Sequence, residues 1–127
     1  MSEGRVLLVE DNARNLKLAR DVLEYAGFLV VAVTTAEDAL DVVHDASPDV
    51  VLMDLQLPGI DGHTALARLR SDPRTAGVPV VAVSALAMVA DRERALAAGF
   101  DGYIEKPIDV RAFPGQVRSH VRGQADP

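Results

Sequence analysis

Five short apolar runs, each stopped by a polar or turn-forming residue, constrain this chain more than any other feature of it. They are Arg5-Val6-Leu7-Leu8-Val9, Phe28 to Val33, Val50 to Met53, Val80 to Val83, and a shorter one at Gly102-Tyr103-Ile104-Glu105. Runs this short cannot make helices and suit strands buried on both faces. Between them apolar residues recur at helical spacing: Leu16, Ala19, Val22, Leu23 and Ala26; then Ala36, Ala39, Leu40 and Val43; then Leu66 and Leu69. Strand and helix therefore alternate, which predicts an α/β domain with a parallel sheet covered on both faces. Right-handed crossovers make that sheet doubly wound. Of the two common strand orders, 2-1-3-4-5 and 3-2-1-4-5-6, five strands favour the first.

Capping residues set the boundaries. Asn12 is a good N-cap for the first helix, and Gly27-Phe28 closes it in the manner of a Schellman motif. Thr35-Ala36-Glu37-Asp38 resembles a capping box with Asp in the last place. Ser47-Pro48-Asp49 ends the second helix, Ile60-Asp61-Gly62 is a loop, and His63 to Ser71 is a short third helix. Met88 to Ala98 is the fourth, with Gly99-Phe100 repeating the earlier exit. Val110, Phe113, Val117 and Val121 share a face of the last helix. Pro114 fits only a first turn, so that helix begins near Arg111 to Phe113. One domain over residues 1–122 is expected, with 123–127 a frayed tail.

Composition narrows the function classes. At 127 residues with 49% hydrophobic content, the chain is long enough for one globular core. A net charge of −6 disfavours direct nucleic-acid binding. The absence of cysteine rules out thiolate metal sites and disulfides. No apolar run approaches the ~20 residues that span a bilayer, and the start lacks the form of a signal peptide, so no membrane insertion and a cytoplasmic location are expected.

The chemistry lies at the strand ends. Glu10-Asp11 follows the first strand, Asp54 ends the third, Ser84-Ala85 the fourth, and Lys106-Pro107 the fifth. In the 2-1-3-4-5 order the chain switches direction between the first and third strands, which sets Asp11 beside Asp54 at the crevice, with Ser84 and Lys106 on its far side. Three carboxylates gathered there raise the pKa of at least one member and are relieved by a divalent cation. Oxygen ligands with remaining waters suit Mg²⁺, with Mn²⁺ as a substitute.

Val9-Glu10-Asp11-Asn12, Asp54-Leu55-Gln56-Leu57-Pro58-Gly59 with Gly62, Ser84-Ala85 and Lys106-Pro107 together resemble the receiver domain of bacterial two-component response regulators. The resemblance runs from about Val6 to about Val121. It implies the (βα)5 flavodoxin-like fold of the chemotaxis receivers, and Asp54 as phosphoacceptor. Mg²⁺ would be held by Asp11, Asp54 and the main-chain carbonyl of Gln56, with Glu10 acting through water. Ser84, Ala85 and Lys106 would bind the phosphoryl oxygens. A cis Lys106–Pro107 bond is implied, and Ser84 with Tyr103 forms the switch, the ring moving from outward to inward on phosphorylation. Gln56 and Leu86 sit where the family tunes phosphoryl lifetime, and the apolar Leu86 implies slow self-hydrolysis.

The resemblance also implies partners. A sensor histidine kinase or histidine phosphotransfer protein donates to Asp54, and an unidentified protein target reads the face made by the fourth helix, fifth strand and fifth helix. The chain would catalyse only its own phosphorylation and dephosphorylation and is not otherwise an enzyme. The Met1 start and short polar tail favour a stand-alone, DivK-like receiver over one excised from a longer regulator or hybrid kinase. The apolar stretch Ala85-Leu86-Ala87-Met88-Val89 is either a mobile activation segment or a helix entry packed in the core. A phosphorylation-independent pseudo-receiver is the rival within the binding modules, yet the acceptor Asp54, the acidic pair and Lys106 are all retained. A haloacid-type phosphatase would need a carboxylate where Gln56 stands, and no P-loop motif occurs. His44, His63 and His120 share no ligand spacing and are expected at the surface. Arg111, Arg118 and Arg122 fit either a partner face or simple solubility.

Overall fold

The computed structural model describes residues 3–86 and 88–121. The elements are β1 (Arg5–Val9), α1 (Ala13–Tyr25), β2 (Leu29–Val33), α2 (Ala36–Ala46), β3 (Val50–Asp54), α3 (Gly62–Ser71), β4 (Val80–Ser84), α4 (Val89–Ala98), β5 (Gly102–Glu105) and α5 (Phe113–Arg118). All four strand pairings are parallel, in the order β2-β1-β3-β4-β5. This is the doubly wound, flavodoxin-like arrangement expected from the alternation of runs and stripes. Among the described residues no helix is long and apolar enough to cross a membrane.

Strand alternation splits the core into two layers. Leu7, Val9, Val51, Met53, Val80 and Ala82 pack against Ala36, Ala39 and Val43 of α2, Ala65, Leu66 and Leu69 of α3, and Ala95 of α4. Val6, Leu8, Val50, Leu52, Val81, Val83 and Ile104 pack on the other face, against Ala19 and Leu23 of α1 and Phe113 and Val117 of α5. The central strands β3 and β4 are buried along their whole length. β2 is an edge strand, so Leu29 and Val31 stay partly exposed although the run reads as apolar throughout.

The caps behave as the sequence implies. Asn12 accepts from Asn15 N at 3.0 Å and Thr35 Oγ1 from Asp38 N at 3.0 Å. Both glycine exits are Schellman motifs: Phe28 N donates to Leu23 O and Gly27 N to Glu24 O, while Phe100 N donates to Ala95 O and Gly99 N to Leu96 O. Gly27 and Gly99 have φ of 103° and 112°, a left-handed setting that glycine takes without a Cβ penalty.

Several expectations need correction. Asp61 is the N-cap of α3, accepting from Thr64 N at 2.8 Å, so that helix starts at Gly62 and not His63. α5 begins at Phe113, inside the expected start, but is only six residues long and ends at Arg118, short of Val121. Pro114 sits in its first turn, where no amide hydrogen is needed. His63 and His120 are half-buried at the surface, each against a residue distant in the chain. His63 packs edge-on to Phe100 at 5.3 Å, and His120 lies so close over Gly102 that a Cβ there would meet its ring. His44 is exposed but sits 3.2 Å from Asp72. Arg118 bonds Glu3 and lies 5.8 Å over the Phe28 ring, which ties α5 to the start of the chain. Arg111 is exposed, while Ala87, Arg122 and the expected frayed tail at 123–127 lie outside the described residues.

At the end of the sheet remote from Asp54, one guanidinium joins three elements. Arg70 of α3 donates to the carbonyls of Ala76 (3.1 Å), Val78 (2.6 Å) and Gly99 (3.2 Å), and to Asp101 Oδ2 (2.7 Å). The same Asp101 oxygen accepts from Val80 N at 2.8 Å. Replacing Arg70 by Ala should therefore lower stability by about 1–3 kcal/mol, read as a shifted midpoint in urea unfolding at unchanged slope.

Candidate functional site

The register brings the strand-end groups together. Val9 pairs with Met53, Asp54 with Val83, and Ser84 with Glu105, so Glu10 and Asp54 stand level while Ser84 lies one step further along and Lys106 two. Lys106 N donates to Ser84 O at 2.8 Å, which fixes where the lysine leaves the sheet. The Lys106–Pro107 peptide bond is cis.

From there the ammonium reaches back across the crevice. Lys106 Nζ lies 2.8 Å from Asp54 Oδ2 and 2.6 Å from Glu10 Oε1. Both carboxylates are buried, at 4% and 5% exposure, and Ser84 is fully buried, whereas Asp11 and Gln56 are exposed. Glu10 Oε2 accepts from Asn12 N at 3.1 Å, and Asp54 Oδ1 from Gln56 N at 2.9 Å. Burial pushes the Glu10 carboxyl above its ordinary range; Lys106 and the Asn12 amide pull it back only in part, and the neighbouring Asp54 pushes it further up. Burial draws the Lys106 ammonium down, but its hydrogen bonds to Asp54 and Glu10 outweigh that and leave it raised.

Glu10, Asp11 and Asp54 each offer a carboxylate oxygen, and these atoms lie within 4.8 Å of one another. A set of oxygens alone, two of them buried and one open to solvent, fits a hard divalent cation that keeps some of its waters. The donor set therefore suits Mg²⁺ better than a metal that prefers nitrogen or sulfur.

A second network lies beyond Ser84. Its Oγ accepts from Leu86 N at 3.0 Å, and the Tyr103 hydroxyl donates to the Leu86 carbonyl. Leu86 thus joins Ser84 to Tyr103 through the two ends of one residue. The Tyr103 ring is buried. Ala85, Leu86, Met88 and Val89 are exposed, not packed in the core, and Ala87 lies outside the described residues. The helix they lead into has no side-chain cap at Met88 and buries only Ala95.

The sequence did not reveal everything here. It did not foresee the direct pairing of Glu10 with Lys106. Nor did it foresee the cleft of about 290 Å³ that opens beside the site, lined by Glu10, Leu18, Lys106, Ile108 and Phe113 among others. No local motif signals that cleft, because α1 and the segment after β5 supply its two walls.

The comparisons with known proteins agree on one family. A family model described as "Response regulator receiver domain" matches residues 6–118. The polar-differentiation response regulators DivK of Brucella ovis and of Brucella anthropi are each 39% identical over 116 residues, covering 91% of this chain and 94% of theirs. Among solved structures, the BeF3-activated N-terminal receiver domain of Klebsiella pneumoniae RstA superposes with a TM-score of 0.84 at 28% identity, covering 93% of this chain and 98% of that one. A chemotaxis response regulator of Vibrio cholerae superposes at 0.86 with 20% identity, covering 95% and 99%, a likeness of fold alone.

The raised Glu10 carboxyl has a consequence for stability. Because the folded chain holds that proton more tightly, the contribution is fully present below the ordinary value of 4.5 and is lost as pH rises through the folded value. In a chelating buffer, the unfolding free energy of the wild type relative to Glu10→Gln should fall as pH rises from 4.5 through the raised folded value. Urea titrations across that range provide the measurement, and a flat difference would contradict the assignment.

Proposed function

Because the chain belongs to the response regulator receiver domain family, a family of phosphorylatable two-component signalling modules, we propose that Asp54 accepts a phosphoryl group from a histidine kinase or histidine phosphotransfer protein. The observation that carries this reading is the convergence of Glu10, Asp11, Asp54 and the Lys106 ammonium at one crevice, with Lys106 Nζ 2.8 Å from Asp54.

In the proposed step, an Asp54 oxygen forms a bond to phosphorus as the bond from phosphorus to the donor imidazole nitrogen breaks. The imidazole leaves with that electron pair and takes a proton from solvent. Such a transfer asks the protein for in-line placement and charge compensation more than for covalent help. Mg²⁺, or Mn²⁺ in its place, would be held by Asp11, Asp54, the Gln56 carbonyl and, through water, Glu10, and supplies charge neutralisation to the carboxylates and a phosphoryl oxygen. Lys106 neutralises a second oxygen while remaining charged, a role supported by its raised pKa. The Ser84 hydroxyl and Ala85 amide bind a third.

Switching follows from the Leu86 junction. When Ser84 Oγ turns to the phosphoryl group it gives up Leu86 N, and Leu86 also carries the acceptor for Tyr103. The phosphorylated population then presents a changed face of α4, β5 and α5 to a protein target. The chain modifies itself and turns over no other substrate, and its output runs through protein contacts in the cytoplasm, not direct contact with nucleic acid.

Incubation with Mg²⁺ and acetyl phosphate, followed by a phosphate-affinity gel, should yield one labile modified species. It should be absent from Asp54→Asn and after chelation, and Asp11→Asn should form it at least about tenfold more slowly. A wild-type chain that stays unmodified would favour a pseudo-receiver that signals without phosphorylation.

A further inference from the structure

One acidic side chain outside the strand-end cluster touches the loop that carries the Gln56 carbonyl. Glu37 lies in the first turn of α2, and its Oε2 accepts from Ile60 N at 3.4 Å, across 23 residues of chain. The same carboxylate rests on Gly59, where an added Cβ would lie 2.6 Å from Oε2 and 3.2 Å from Oε1. Gly59 has a φ of 77°, so absence of a side chain serves both the turn and the contact. Among the described residues, this is the one hydrogen bond that joins residues 57–60 to another element; Gln56 is held separately, by its own amide on Asp54 Oδ1.

The base of the contact is rigid. Thr35 caps α2, and Ala36 and Ala39, which flank Glu37 on the helix, are buried in the core. A carboxylate in a first helical turn also sits favourably in the helix dipole. At the other end of the loop, Gly62 is wedged so closely that a Cβ would lie 2.7 Å from the Asp54 carbonyl oxygen. Residues 56–60 are thus held at the Asp54 end by Gln56 N on Asp54 Oδ1, at the α3 end by Gly62, and midway by Glu37.

We propose that Glu37 is a positioning residue for the cation site: by seating Gly59 and Ile60 it fixes the loop that presents the Gln56 main-chain carbonyl. The proposal rests on the reading of Glu10, Asp11, Asp54 and Gln56 as ligands of Mg²⁺. Glu37 itself coordinates nothing; it acts through the backbone. What it supplies is preorganisation, which shows as metal affinity and as local protection of the loop, not as a change in the fold.

The test compares Glu37→Ala with Glu37→Gln, whose amide oxygen still accepts from Ile60 N but carries no charge. Mg²⁺ affinity is measured by titration calorimetry, amide hydrogen exchange at residues 56–60 without metal, and the urea midpoint as a check on the fold. Glu37→Ala should weaken Mg²⁺ binding about two- to tenfold, the range one such hydrogen bond supplies, and speed exchange at Ile60 by a similar factor. Glu37→Gln should restore most of both. Unchanged affinity or unchanged exchange in Glu37→Ala would overturn the proposal, as would a Glu37→Gln loss equal to that of Ala, which would mean that charge alone matters. Asp11→Asn separates the two layers of argument. If it abolishes binding while Glu37→Ala is silent, only the role of Glu37 fails; if the wild type takes up no Mg²⁺, the cation reading fails and takes the proposal with it.

Discussion

The Lys106 ammonium, held between the carboxylates of Glu10 and Asp54, is the interaction on which the site depends. Two buried acids side by side repel each other and lose hydration, and burial alone raises the Glu10 carboxyl. One cation donating to both offsets much of that cost, and removing one partner from such a buried set is strongly unfavourable. The lysine can do this only because β5 lies two strands from β3, with β4 between them, and because the parallel register carries Lys106 one step past Ser84. The sheet order is therefore a requirement of the electrostatics and not merely a scaffold beneath it.

The two ends of α4 are held very differently. Its last turn closes in a Schellman motif, and Arg70 grips the Gly99 carbonyl just beyond it. Its first turn has no side-chain cap, Met88 and Val89 are largely exposed, and only Ala95 of the helix is buried. Few buried contacts and exposed backbone mark a segment of low local stability. That weakly held end adjoins Leu86, the residue that hydrogen-bonds both Ser84 and Tyr103. Firm anchoring remote from the carboxylates and loose attachment beside them give the segment one direction in which to yield.

Most of the fold was legible in the residues. Five apolar runs alternating with five helical segments predicted the sheet and its order, and the strand ends that follow them named the acids, the hydroxyl and the ammonium. Asn12, Thr35, Gly27 and Gly99 announced their caps because capping is a local transaction between a side chain and the nearest free amides or carbonyls. The failures were of another kind. Asp61 was read as loop although it caps α3, the stripe through Val121 carried α5 past its end at Arg118, and His63 and His120 were read as surface residues without the distant partner that each packs on.

Sequence by itself determined which segments pair, which strand ends carry charge and which residue types could serve phosphoryl chemistry, since these follow from periodicity and from side-chain chemistry along the chain. Only the tertiary structure decided that Glu10 shares Lys106 with Asp54, that Leu86 joins Ser84 to Tyr103, and that Glu37 rests on Gly59. Apart from the local bond of Leu86 N to Ser84 Oγ, each of these contacts joins groups far apart in the chain, and its existence depends on distances of a few tenths of an ångström. Periodicity fixes the face on which a side chain lies, but the packing of helices on the sheet fixes what it touches there.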